Sequence, residues 1–127
     1  MVINMSLNCV QINLKKAFTA AIELNGRVKD LQKAIIFATE PYVTKGKIRS
    51  APPGYFIIGD TNPRAALFCS STSGVVAMDQ FTSRDVAVGL LQEGKNKIML
   101  VSAYLDIKLA VIQEWLREIV KYAEKKK

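Results

Sequence analysis

Three polar side chains stand where apolar, strand-like runs end. In "KAIIFATEPYVTKG" the run from Ala34 to Ala38 stops at Thr39 and Glu40, with Pro41 directly behind. Asn13 closes "LNCVQIN", and Tyr104 closes "IMLVSAY". A carboxylate at the carboxyl end of a buried strand occupies the place where open α/β sheets carry functional groups, and Pro41 stiffens the exit. Asn13 would neighbour Glu40 if their strands pair in parallel across a helix. Each residue also has an ordinary reading. Glu40 marks a strand reaching solvent, Asn13 caps a turn, and Tyr104 packs its ring.

The chain contains no histidine, which excludes a Ser-His-Asp or Cys-His pair, an imidazole general base and an imidazole zinc site within it. Chemistry here must use carboxylates, amides, lysines, tyrosines or a hard metal ion. The formal charge of +7 favours polyanionic partners such as nucleic acid, although part of that excess lies in the terminal "KYAEKKK", which also reads as a solvated helix end. Cys9 and Cys69 sit in apolar stretches without metal-site spacing and read as buried thiols. No apolar run approaches the roughly 18 residues of a membrane span, and "MVINMSLNCV" is not a secretory leader. Membrane association is therefore not expected, and cytosol or nucleus is the expected location.

The elements that must position these groups follow from periodicity. "LNCVQINL", Leu7 to Leu14, alternates as a strand, and apolar residues from Lys15 to Leu31 recur at helical spacing. Ala34 to Ala38 is apolar on both faces, as in a strand buried between layers. Thr44 to Tyr55 carries Lys45, Lys47 and Arg49 among glycines and prolines, and reads as a basic surface loop that could meet phosphates. Tyr55–Gly59, Ala65–Ser70, Val86–Leu91 and Lys97–Ala103 are further strands, the last two a hairpin. From Ile107 onward one apolar stripe runs through Leu109, Ile112, Trp115, Leu116, Ile119, Val120 and Ala123, an amphipathic helix. Half of the 127 residues are hydrophobic, and no composition break divides the chain, so one domain or one part of a domain is expected.

"QINLKKA", "EPYV", "RAALFCS", "SRDVAVGLL" and "VSAYLD", in that order, resemble the amino-terminal half of the endonuclease domain of non-LTR retrotransposons. That domain belongs to the endonuclease/exonuclease/phosphatase superfamily with its DNase I-like fold. The resemblance runs from about Leu7 to Ala123. It implies that Glu40 binds a catalytic Mg²⁺ or Mn²⁺, that Asn13 sits beside the metal, and that the Tyr104 hydroxyl approaches the scissile phosphate. Arg64 is either an added phosphate contact or a strand-edge surface cation.

The family's later Gly-Asp-x-Asn and Ser-Asp-His motifs are absent. "GDTNPR", Gly59 to Arg64, has the letters of the first but precedes "VSAYLD", and reads as a turn. The resulting expectation is an α/β protein, half of a four-layer sandwich, with one mixed sheet flanked by two helices. Residues 1–127 would be a single partial domain cut before its second half, its uncovered sheet face inviting self-association. By resemblance the function is a metal-dependent DNA endonuclease module from a longer reverse transcriptase polyprotein, inactive alone, with DNA as partner. The alternative is a non-catalytic transposon-derived remnant that binds nucleic acid or another protein.

Overall fold

The computed structural model describes residues 7–45, 47–104, 117–118 and 120–122. Strand β1 (Asn8–Asn13) leads through helix α1 (Phe18–Val28) to β2 (Ala34–Thr39), which pairs with β1 in parallel. A short ladder of β3 (Val43–Thr44) and β4 (Lys47–Ile48) occupies the expected basic loop. β5 (Tyr55–Ile58) and β6 (Ala65–Ser70) then complete a four-stranded mixed sheet in the order β1-β2-β6-β5. The chain next forms β7 (Val75–Ala77), a short 3-10 turn at Asp79–Phe81, β8 (Val86–Glu93) and β9 (Asn96–Ala103). These last three strands make a separate antiparallel sheet, β7-β8-β9.

The α/β class therefore holds, whereas the strands divide between two larger sheets and the short β3-β4 ladder instead of forming one sheet. The reason lies in how β6 and β8 bury both their faces. Ile36, Ala38, Ala66 and Phe68 point toward α1, where they meet Leu14, Leu24 and Val28. Ile35, Ile58, Leu67 and Cys69 point the other way and pack on Val75, Ala87, Leu91 and Leu100 of the second sheet. The sheets approach closely at Gly89, where an added Cβ would lie 3.2 Å from Ile58 Cδ1 and 3.3 Å from Leu67 Cδ1 of the first sheet. Val86 and Val88 form the outer face of the second sheet, partly covered by Tyr122, whose ring meets Phe81 edge-on at 5.2 Å.

The sheet face expected to lie open thus carries the second sheet, because β8 and β9 supply the apolar partner that a single-sheet arrangement would lack. The cover stops short of β1, the edge strand, where Cys9 and Gln11 stay exposed beside a groove of ≈400 Å³ bordered by Phe37 and Val101. The helix expected from Ile107 to Lys127 lies mostly outside the described residues, of which 117–118 and 120–122 are helical. No helix among the described residues is long and apolar enough to cross a membrane.

Helix α1 is shorter than its sequence pattern because Lys15 and Lys16 take left-handed backbone angles, φ 51° and 56°. Its buried Ala21, Leu24 and Val28 recur at helical spacing, while Phe18 and Ile22 remain exposed.

The two cysteines differ. Cys69 is fully buried between the sheets, and loss of hydration pushes its thiol from 9.0 up to about 12. Cys9 is exposed, contrary to the buried reading, because β1 lies beyond the second sheet's reach. Native protein should therefore show one thiol that reacts promptly with an aromatic disulfide reagent, the other reacting only on unfolding. The folded state holds the Cys69 proton more tightly than the unfolded chain. Its contribution to stability is complete below pH 9.0 and falls as pH rises toward about 12. Urea midpoints that fall no more steeply across that range than those of Cys69→Ala would contradict this.

Candidate active site

The ends of β2 and β9 meet because the two sheets are pinned just before them. Buried Ser102 Oγ donates a hydrogen bond to the Ala38 carbonyl at 3.0 Å, tying β9 to β2. Two residues further along each strand, the Tyr104 hydroxyl donates to Glu40 Oε1 at 3.3 Å. Glu40 is half-buried and adopts φ 48°, a left-handed conformation that costs roughly 1–2 kcal/mol for a residue with a Cβ. Backbone bonds hold it there: its N–H donates to the Arg64 carbonyl, and its own carbonyl accepts from Lys16 N–H, each at 2.8 Å. Strain fixed by surrounding bonds is a common feature of functional sites.

Asn13 lies in register with Thr39, one residue before Glu40, which places it at the same sheet end. Its Oδ1 accepts the Lys15 N–H at 2.8 Å, so it also fills the turn-capping role. The structure therefore joins Glu40 and Tyr104 directly and sets Asn13 beside them through the parallel register.

Arg64 is neither a lone surface cation nor simply an open phosphate contact. Its Nε donates to Asp85 Oδ1, and its guanidinium carbon lies 4.9 Å from the centre of the Tyr104 ring. Asp85 also accepts the Tyr104 N–H through its backbone carbonyl at 2.8 Å. The Arg64–Asp85 pair, with side chains 25% and 15% exposed, thus supports Tyr104 from ring and backbone together. Asp85 was not singled out from the sequence. Its place directly before the apolar run "VAVGLL" was the available signal, but its partner is 21 residues away.

"GDTNPR" is a turn, as expected, with Thr61 N–H donating to Asp60 Oδ1. Beside it a cleft of ≈190 Å³ is bordered by Lys16, Pro41, Tyr42, Asn62, Arg64 and Arg84, among others. Sequence reasoning did not find this cleft, because its walls come from separate connections.

Glu40, Asn13 and Tyr104 offer oxygen donors suited to a hard divalent cation. No group of three His, Cys, Asp or Glu side chains able to hold a metal occurs among the described residues. One carboxylate is nevertheless compatible with Mg²⁺, which keeps several waters and commonly binds through one or two carboxylates and the substrate's phosphates.

No protein-family model matches the chain, and no curated protein matches it. The fold is α/β and DNase I-like. Among solved structures, the chain is similar to the endonuclease domain of TRAS1, a telomere-specific non-LTR retrotransposon, with a TM-score of 0.76 and 21% sequence identity. The match covers 93% of this chain and 54% of that one, so the chain spans about half the length of the domain it resembles.

Proposed function

We propose that the chain is the metal-holding part of a DNA phosphodiesterase of the retrotransposon endonuclease type, insufficient for turnover alone. The observation that carries this reading is the contact of the Tyr104 hydroxyl with Glu40 Oε1 at the shared strand ends. Glu40 would be the metal's carboxylate ligand, Asn13 would orient it or the phosphate, and Tyr104 would present its hydroxyl to the scissile phosphate. Bound Mg²⁺ or Mn²⁺ would supply stabilisation of the charge that develops on the phosphodiester. Beyond Glu40, Asn13 and Tyr104, further carboxylate and histidine groups would be needed to position a nucleophile and move its proton.

The absence of histidine from the sequence and of any group of three metal-holding side chains among the described residues also favours a second reading, a non-catalytic module that keeps nucleic-acid binding. Manganese titration followed by electron paramagnetic resonance, run beside a supercoiled-plasmid nicking assay, tests both. Wild type should bind Mn²⁺ weakly, and Glu40→Gln should weaken that binding by roughly tenfold or more, since even outer-shell changes cost 10–100-fold. Nicking should stay at background. Unchanged Mn²⁺ affinity in the variant removes the metal role from Glu40, and Glu40-dependent nicking shows the site sufficient by itself.

A further inference from the structure

We propose that the cleft beside Pro41 is a seat for the backbone of a nucleic-acid strand, with Lys16 and Arg84 taking phosphates and Tyr42 meeting an adjoining base. This rests on the reading of Glu40 and Tyr104 as a phosphodiester site. It adds a path by which a strand reaches that site.

The charge distribution is one-sided. Among the described residues bordering the cleft, every ionisable side chain other than Tyr42 is a cation: Lys16, Arg64 and Arg84. Its volume of ≈190 Å³ is below the roughly 300–1,000 Å³ of pockets that enclose whole small molecules. A row of phosphates passing through a groove suits that size better. Arg64 is already engaged by Asp85, which leaves Lys16 and Arg84, both exposed, as the principal charge the walls present to solvent.

The walls are also fixed in advance. Lys16 and Asn62 take left-handed angles, φ 56° and 49°, as does Glu40 next to Pro41. Lys16 N–H is tied to the Glu40 carbonyl at 2.8 Å and Arg64 N–H to the Arg84 carbonyl at 2.6 Å, while Arg84 Nε donates to the Asn62 carbonyl at 3.3 Å. With the Glu40 N–H bond to the Arg64 carbonyl at 2.8 Å, four separate connections are held in one surface, which lowers the ordering cost of binding.

Tyr42 makes the site more than a general anion trap. Its backbone N–H donates to Ser50 Oγ at 3.1 Å, and its ring packs against Phe18 at 5.8 Å and 59°. Phe18 is 57% exposed on the first turn of α1, so the cleft opens beside an aromatic pair. Basic side chains tracking phosphates beside aromatic rings that accept bases are the pattern of strand-binding grooves.

The test is fluorescence anisotropy with a labelled oligonucleotide, single-stranded and duplex, over a salt series in EDTA. The chelator makes the outcome independent of whether Glu40 binds metal or supports cleavage. Lys16→Gln and Arg84→Gln, which retain hydrogen-bonding side chains, should each weaken binding and lower the log–log salt slope by about 0.7 on single strands or 0.9 on duplex. The double variant should lower it by about twice as much. Tyr42→Ala should weaken single-strand binding about five- to hundredfold with an unchanged slope, because stacking releases no counterions. Lys97→Ala lies at the far end of β9 from Tyr104 and should change nothing.

Absence of DNA binding by the folded wild type overturns the proposal. So does binding that the double variant leaves intact in affinity and slope, which would place the contact elsewhere. Equal competition by polyglutamate and DNA, with Tyr42→Ala silent, would mean an acidic protein partner and also overturn it. Circular-dichroism melting of each variant separates these outcomes from a fold defect.

Discussion

Phe68→Ala is expected to lower the unfolding free energy by about 3–5 kcal/mol, the largest effect of any single substitution considered. Phe68 is fully buried in β6, the strand between β2 and β5, opposite Ile36 on one side and Ile57 on the other. Its ring fills the space between the four-stranded sheet and α1, against Leu14, Leu24 and Val28. Truncation removes that apolar burial and leaves a cavity which two hydrogen-bonded neighbouring strands cannot collapse to fill. A domain of this size is typically stable by only about 5–15 kcal/mol, so the change would shift a urea transition unmistakably. Phe68→Leu should cost much less, because most of the volume remains. The effect should reach the candidate site as well, since Glu40 N–H is bonded to the carbonyl of Arg64, immediately before β6. A loss below about 1 kcal/mol in equilibrium urea unfolding would mean that the helix–sheet core is not packed as described.

The second large effect is expected at Asp85. Asp85→Ala should cost about 2–3 kcal/mol, less than the 3–5 kcal/mol of a fully buried pair because both partners keep some access to water. Removing the carboxylate takes the Asp85 bond from the partly desolvated Arg64 guanidinium, which lies against the face of Tyr104. Asp85→Asn keeps an acceptor for Arg64 Nε and should lose roughly half as much, a neutral hydrogen bond replacing a charge-assisted one. A double-mutant cycle with Arg64→Ala isolates the pair, and a coupling near zero would reduce it to a surface contact.

The same substitution separates support from direct contact. Asp85 donates nothing to Glu40, so its loss should weaken Mn²⁺ binding only through displacement of Tyr104, by less than Glu40→Gln does. Equal losses in the two variants would assign Asp85 a direct part in holding the ion.

The sequence alone established a good deal about this protein. Alternation in "LNCVQINL" marked β1, two-sided apolarity in "AIIFA" marked a buried strand, "AALFCS" between turn-rich pieces marked a further strand, and the composition excluded imidazole chemistry. Strand ends are legible because an apolar run must stop where the chain meets water, so Asn13, Glu40 and Tyr104 were visible as a set.

Other features had no local signature. Burial on both faces means that something lies on each side of a strand, and a helix or a second sheet satisfies that equally. Periodicity therefore could not reveal that β7, β8 and β9 form their own sheet. Nor could it reveal that Cys9 is exposed, which depends on how far that sheet extends over β1. The Glu40–Tyr104 contact joins residues 64 positions apart, and the Arg64–Asp85 pair joins residues 21 apart. The left-handed angles at Lys16 and Glu40 are likewise held by backbone bonds from neighbouring connections rather than by residue type, whereas Asn62 is a residue type that tolerates them. Local sequence set which side chains were available at the sheet ends. Tertiary packing, through the stacking of two sheets and the Ser102–Ala38 bond, decided which of them meet.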